Sequence, residues 1–367
     1  MNFCTLFLRT ENVHLTKDVG QVPYWLQKEF GYHAYIATYK NGEYPYLDDE
    51  CAGLELDFVE KSLFGAVFDG IKYIFCNRKK IDILNVYHLN LSSFMWILFF
   101  KLIRKKNALL YLKLDADHRE IDKIKKKDAK ALIKRITLCN ADIISAESNA
   151  MKVALQKYCN TEILYIPNGY MQLENDIVST VSAKENIILT VGRLGTFQKA
   201  TDLLVEAFAK SLLVPQWKLV LIGPMEKEFE AWLEKYQREH PKIRDYIVVT
   251  GNLQDKRLLQ TWYQKAKVFA LPSRWEGFPL VLVEAMSNGC YLIASDKVLP
   301  AHDLIENIHI GRMFPVDAVY ELEKALVETV VMDVDWDLNS RRIIEMVEKN
   351  YKWSAILKTL HDQICLR

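Results

Sequence analysis

Short apolar runs alternate with helix-length amphipathic stretches along this chain. In the second half the runs are 186–192, 217–223, 246–251, 268–273 and 290–295. Each is bounded by Gly, Pro or Ser and followed by a segment of helical length, which predicts βαβ units and a parallel sheet. The first half repeats the theme, with strands expected at 3–9, 34–39, 72–76, 82–87, 109–114 and 142–147. It closes on "ILYIPNGY" (163–170), where Pro-Asn-Gly signals a turn. The pattern predicts an α/β chain of two doubly wound, Rossmann-like domains joined near Asn168. Two such domains would form a cleft at the carboxyl ends of their strands, where sheets of this kind take ligands.

Composition narrows this only a little. A length of 367 residues suits two domains of average size, and half of the residues are hydrophobic. The net charge of +1 gives no pointer to nucleic acid. Seven cysteines, an odd number with no CxxC pair, indicate neither a disulfide framework nor a zinc ribbon, and fit a reducing cytoplasm. "MNFCTLFLRTENVHL" lacks a basic start and a cleavage site, so it reads as a first strand and not a signal peptide. The run "FMWILFFKLI" (94–103) is too short to span a bilayer, which takes about 20 residues.

Chemistry concentrates in the second half. In "LTVGRLGTFQKATDLL" a strand ends at Gly192, Arg193 and Lys199 follow in a loop, and Thr201 or Asp202 is placed to cap the next helix. Two cations beside a helix N-terminus suit a bound diphosphate; a solvated loop carrying two bases would look the same. In "PSRWEGFPLVLVEAMSNG" a helix is expected from about Pro279 to Asn288, with Glu276 ahead of it and Glu284 in its second turn. Glu284 points away from the apolar side formed by Val281, Leu282, Ala285 and Met286. Two readings stand for it at this point: a carboxylate binding the paired hydroxyls of a ribose, or one paired with a nearby Arg or Lys.

The spacing and its surroundings resemble one family. "EGFPLVLVEAMSNG" is similar to the Glu-(seven residues)-Glu signature of retaining glycosyltransferases of the two-domain GT-B fold, specifically family 4. "VGRLGTFQKATDLLVEAF", "LVLIGPM", "VVTGNLQD", "LLQTWYQKAKVFALPS" and "IPNGY" stand in the order that family shows. The resemblance covers most of the second half.

It implies a donor site. Arg193 and Lys199 resemble the pair that grips the donor diphosphate, and Glu284 the residue that binds ribose. Glu276, with the backbone of Gly277, Phe278 and Pro279, resembles the element that orients the donor sugar. Asn252, Leu253 and Gln254 would lie near the nucleobase. Ala200 departs from the family, which often has Gly there, so this loop is expected to move less freely. In such enzymes the departing phosphate takes the acceptor's proton, no protein nucleophile is used, and neither metal nor cofactor is required. Arg193 and Lys199 would then stabilise the charge that grows on the leaving group.

The resemblance also assigns roles to the ends of the chain. Residues 1–168 would bind acceptor, 169–350 the nucleotide sugar, and 351–367 would form a closing helix that crosses back to the first domain, anchored by Trp353. In "YLKLDADHRE", Asp115, Asp117 and His118 stand where the family carries a His contacting the donor sugar, and which of the three takes that contact is open. Their pattern also mimics the Asp-x-Asp metal site of the GT-A fold, a reading disfavoured because the second half has no counterpart in that fold. Gly20 resembles a glycine of the family's first loop, which approaches the diphosphate. Lys17 and His88 are weaker candidates for the same cleft.

One stretch points elsewhere. From Ile121 to Arg135 there are seven bases against two acids, with Ile121, Ile124, Leu132 and Ile136 on one face of an expected helix. Together with 94–103 it could lie on an anionic bilayer, or be a core-facing helix with a solvated basic side. The function expected is hexose transfer from a nucleotide diphosphate sugar, with UDP the commonest nucleotide in the family, to a glycan or lipid-linked glycan in bacterial surface polysaccharide synthesis. The alternatives are a sugar-nucleotide epimerase of the same fold and a non-catalytic nucleotide-sugar or membrane binding module. A nicotinamide-dependent oxidoreductase is disfavoured, since no GxGxxG follows the first strand.

Overall fold

The computed structural model describes residues 1–170, 183–308, 310–332 and 334–367. The chain divides into two units, Met1–Met171 with Tyr351–Arg367, and Gln172–Asn350. Each is built on one parallel sheet with helices between successive strands.

The first sheet contains β1 (Asn2–Leu6), β2 (His33–Thr38), β3 (Glu55–Phe58), β4 (Ile83–Tyr87), β5 (Leu109–Lys113), β6 (Ile143–Ala146) and β7 (Ile163–Tyr165). Their order across the sheet is β3-β2-β1-β4-β5-β6-β7. Phe3 of β1 pairs with Ala34 on one side and Ile83 on the other. The order therefore reverses at β1 and β4, and a sheet of this kind opens a ligand crevice at that switch point. The second sheet contains β8 (Glu185–Val191), β9 (Lys218–Ile222), β10 (Ile247–Gly251), β11 (Ala266–Leu271), β12 (Tyr291–Ser295) and β13 (Gly311–Phe314). Its order is β10-β9-β8-β11-β12-β13, with the switch between β8 and β11.

Strands buried on both faces read as continuous apolar runs. Leu219, Val220, Leu221 and Ile222 of β9 are all buried, as are Val268, Phe269, Ala270 and Leu271 of β11. Edge strands lack this signal, and the apolar pattern missed two of them. β3 is mostly exposed, and only Phe314 of β13 is fully buried.

Three local expectations are corrected. Residues 72–76, expected as a strand, form the last turns of the helix Ala66–Asn77. The helix is set by a face of Gly70, Tyr73 and Ile74, and a Cβ on Gly70 would stand 2.2 Å from the Trp96 Nε1. The basic stretch is two helices, His118–Lys125 and Ala129–Asn140, because Asp128 accepts from the Ala131 N–H and starts a new one. No single amphipathic face therefore runs from Ile121 to Ile136, and Leu132 is 54% exposed. Among the described residues no helix is long and apolar enough to cross a membrane.

The third correction concerns helix starts beside the predicted site. Neither Thr201 nor Asp202 caps the helix Thr201–Lys210; Ala200 is its N-cap, in left-handed backbone with a φ of +49°, and the Thr201 hydroxyl instead accepts from the Gly195 N–H. Pro279 is likewise the N-cap of Leu280–Ser287 and not its first helical residue.

The last helix, Trp353–Cys365, packs on Asp18–Phe30 within the first unit. Trp353 is 2% exposed, and a Cβ on Gly169 would come within 2.9 Å of its ring. That close approach accounts for the glycine of "IPNGY". All seven cysteines are free thiols.

Candidate active site

In the second unit the candidate residues sit at the switch point. β8 ends at Val191 and the loop to Thr201 carries Arg193, Gln198 and Lys199. Leu194 pins this loop: it is buried, and its N–H donates to the Pro224 carbonyl at 2.8 Å. Gly195 has a φ of +81°, and a Cβ there would overlap Phe229 at 2.1 Å, so only glycine fits. β11 ends at Leu271, and the segment after it brings Glu276 to the same place.

The two segments are joined through side chains. Lys199 Nζ donates to Glu276 Oε1 at 2.6 Å, and both side chains are largely buried. Gln198 Nε2 donates to the Trp275 carbonyl at 2.9 Å and to Glu276 Oε2 at 3.2 Å. Its amide oxygen accepts from Arg193 at 3.0 Å. Arg274 N–H closes the arrangement by donating to the Gln198 carbonyl at 2.8 Å. The fold thus brings together Arg193, Lys199 and Glu276, with Gln198 as the link. Sequence reasoning passed over Gln198, whose signal was its position between the two cations.

Glu284 lies in the second turn of Leu280–Ser287 and is half-buried. It accepts a hydrogen bond from the buried Tyr263 hydroxyl at 3.0 Å. Burial raises its carboxyl above the ordinary value, against the Tyr263 hydrogen bond and the pull of Lys256. A phenol therefore orients this carboxylate, leaving acceptor capacity for other donors. Gly277, Phe278 and Pro279 connect Glu276 to this helix, with Phe278 and Pro279 buried. Asn252, Leu253 and Gln254 follow β10, two strands from β8; Asn252 and Gln254 are exposed.

In the first unit the three candidates at the end of β5 separate. Asp117 caps His118–Lys125 through the Arg119 N–H at 2.8 Å and holds the Arg119 guanidinium with both oxygens. Burial pushes its carboxyl up, but the Arg119 donors outweigh this and hold it below the usual range. His118 is the first residue of that helix. Asp115 has left-handed backbone, with a φ of +38°, and its Oδ2 stands 4.0 Å from His88 Nδ1. Gly20 lies inside the helix Asp18–Phe30, where a Cβ would stand 2.3 Å from the Leu15 carbonyl oxygen. Its close approach is to the chain's own preceding turn.

Beneath Asp115 is a cluster that sequence reasoning missed. Lys113 is fully buried in β5, 2.7 Å from Glu147 Oε1 and 3.8 Å from Asp18 Oδ2. Burial would lower its pKa, but the Glu147 charge and hydrogen bond, with Tyr111 and Asp18, together outweigh this and raise it. Burial and the Asp115 charge push Asp18 up to about 7, although Lys113 opposes them. A lysine inside an apolar strand run gave no sign of its partners, which come from two other elements.

Residues 172–334 match the family described as glycosyl transferases group 1. An amylovoran biosynthesis glycosyltransferase of Erwinia amylovora is 35% identical over 119 residues, 32% of each chain. A capsular polysaccharide biosynthesis glycosyltransferase of Staphylococcus aureus is 24% identical over 81% of this chain and 80% of its own. The chain thus spans about a third of the length of the Erwinia relative. The Anabaena HepE protein, solved in complex with UDP, superposes with a TM-score of 0.75 at 15% identity, covering all of both chains. At that identity the likeness speaks for the fold. The match to glycosyl transferases group 1 thus lies in the second unit, in residues 172–334, and the two units have the folds of a GT-B protein.

Proposed function

We propose that this protein is a retaining hexosyltransferase that moves a sugar from a nucleotide diphosphate donor, UDP-linked, to a glycan or lipid-linked glycan in bacterial surface polysaccharide synthesis. The observation that carries the reading is the joined set Arg193, Gln198, Lys199 and Glu276 at the β8/β11 switch point. A diphosphate there would meet two cations beside the start of Thr201–Lys210. Arg193 is exposed, and its planar fork suits two phosphate oxygens. Lys199 has three donors, so it can hold Glu276 and a phosphate oxygen together. Glu284 binds the ribose hydroxyls, and Asn252 to Gln254 border the base.

The reaction breaks the bond between the sugar's anomeric carbon and the diphosphate. Negative charge grows on the leaving oxygen, where Arg193 and Lys199 stabilise it more strongly than in the ground state. The acceptor hydroxyl forms the new bond on the same face and passes its proton to the departing phosphate. The scheme needs no metal and no cofactor. A relative named for amylovoran biosynthesis and another for capsular polysaccharide favour a surface glycan as product.

The cytoplasmic face of the cell membrane is the proposed place of work. Exposed Lys123, Lys125, Lys126, Lys127 and Lys130 on the two short basic helices and their junction would attract anionic lipid. Flotation with and without anionic liposomes tests this, and no binding in either case rejects it. The transferase reading is tested by a calorimetric screen of nucleotide sugars followed by product analysis. Donor turnover with no transfer to any acceptor would favour the epimerase alternative.

A further inference from the structure

We propose that Arg274 is a positioning residue: it clamps the middle of the loop 193–200 to the turn after β13, and so sets where Gln198 and Lys199 stand. What that loop then holds, a donor diphosphate, rests on the transferase reading above.

The loop is held at its two ends by backbone. Near its start the Leu194 N–H donates to the Pro224 carbonyl. At its end the Lys199 and Ala200 N–H groups donate to the Thr196 carbonyl at 3.0 and 3.1 Å. Its middle rests on Arg274. Arg274 Nη1 donates to the Phe197 carbonyl at 2.5 Å, and the Arg274 N–H donates to the next carbonyl, that of Gln198, at 2.8 Å. The guanidinium also lies 4.0 Å from the centre of the Phe197 ring, a stacking that suits its planar fork.

The other end of the clamp is Asp317, whose Oδ1 accepts from Arg274 Nε at 2.6 Å. Its turn is itself fixed. The Val316 N–H donates to Asp296 Oδ1 at 2.8 Å, and the Ala318 N–H to the Pro315 carbonyl at 3.2 Å. Asp317 has left-handed backbone, with a φ of +62°, which Asp and Asn tolerate better than other side chains do. Segments that follow β8, β11 and β13 thus meet on one guanidinium.

Stability alone explains this arrangement poorly. The Asp317 side chain is 54% exposed, and an ion pair with so open a partner adds little to folding. Positioning explains it better. The two residues after Arg274 receive the side chains of the loop: Gln198 donates to the Trp275 carbonyl and to Glu276, and Lys199 donates to Glu276. Holding the Phe197 and Gln198 carbonyls on Arg274 therefore sets both side chains against Glu276. A displacement of about 1 Å in such a group is enough to cost about a hundredfold in rate.

The test compares the full-length parent with Arg274→Met, Arg274→Lys and Asp317→Asn. Amide hydrogen exchange without nucleotide reads the loop. Arg274→Met should speed exchange in 193–200 about tenfold or more, and Asp317→Asn should speed it by less, while 218–222 exchanges as in the parent. Arg274→Lys keeps the charge but not the fork, so it should behave like Arg274→Met. Calorimetry with UDP and uridine reads the consequence. Arg274→Met should lose about tenfold or more of the preference for UDP, with uridine affinity unchanged. Parental exchange in any of the three variants overturns the clamp. So does faster exchange that spreads to 218–222, the mark of a residue that only stabilises the fold. If Arg274→Met does not fold, Asp317→Asn decides by the same two readouts. A loosened loop with the parental UDP preference overturns the positioning role and leaves the transferase reading standing. A parent that binds neither UDP nor uridine removes the transferase reading, and the clamp is then judged on exchange, which needs no nucleotide.

Discussion

Lys199 Nζ lies 2.6 Å from Glu276 Oε1, so the cation assigned to the donor diphosphate is already paired with the carboxylate assigned to the donor sugar. The pair fixes the Lys199 side chain before any ligand arrives, which lowers the ordering cost of binding. Lys199→Ala should lower kcat by about a hundredfold or more, since its contact strengthens as the leaving group gains charge. Glu276→Gln should lower kcat with little change in nucleotide affinity. Steady-state kinetics beside calorimetry checks both, and an Ala variant with parental kcat would remove Lys199 from the chemistry.

Glu284 gives a separable prediction. Its partner is the Tyr263 hydroxyl at 3.0 Å, which leaves acceptor capacity for ribose. Glu284→Ala should weaken UDP binding about tenfold. Its carboxyl is raised above the ordinary 4.5 by burial, so its contribution to stability is present below 4.5 and declines as pH rises above it. Unchanged UDP affinity in the Ala variant would make it a structural carboxylate.

Asp18 carries the clearest pH signature. The unfolded chain releases this proton near 3.8, whereas the folded chain holds it up to about 7, because burial and the Asp115 charge disfavour the anion. The raised folded value means that the stabilisation is fully present below 3.8 and is lost as pH rises to about 7. Asp18→Asn cannot titrate, so its stability relative to the parent should improve across that window. Urea denaturation at a series of pH values reads this; a constant difference would show that Asp18 does not hold the proton.

Lys184 tests the frame of the second unit. Its buried ammonium donates to the carbonyls of Tyr263 at 3.2 Å, Ala266 at 2.9 Å and Asn288 at 2.6 Å, joining the ends of Lys256–Lys265 and Leu280–Ser287. Lys184→Met would leave those carbonyls short of a donor and should cost about 3 kcal/mol. Denaturation of the variant at neutral pH measures it.

Buried parallel strands and the segments carrying the candidate residues are legible because each is local. Runs such as 217–223 and 268–273 are apolar throughout, and Arg193, Lys199, Glu276 and Glu284 fall in two short segments. What escaped depends on distant packing. The edge strands β3 and β13 carry little burial, and residues 72–76 are helical because Gly70 admits Trp96. Gln198, Tyr263 and the Lys113 cluster gain meaning only from partners many residues away. The open choice among Asp115, Asp117 and His118 narrows for a similar reason, since Asp117 is engaged by Arg119.

The most direct measurement is calorimetric binding of UDP, UMP and uridine to the parent and to Arg193→Ala. The account predicts that UDP binds the parent well above uridine, and that Arg193→Ala removes most of this difference while leaving uridine unaffected. A parent that binds none of the three, or an Arg193→Ala variant that keeps the full preference for the diphosphate, would contradict it.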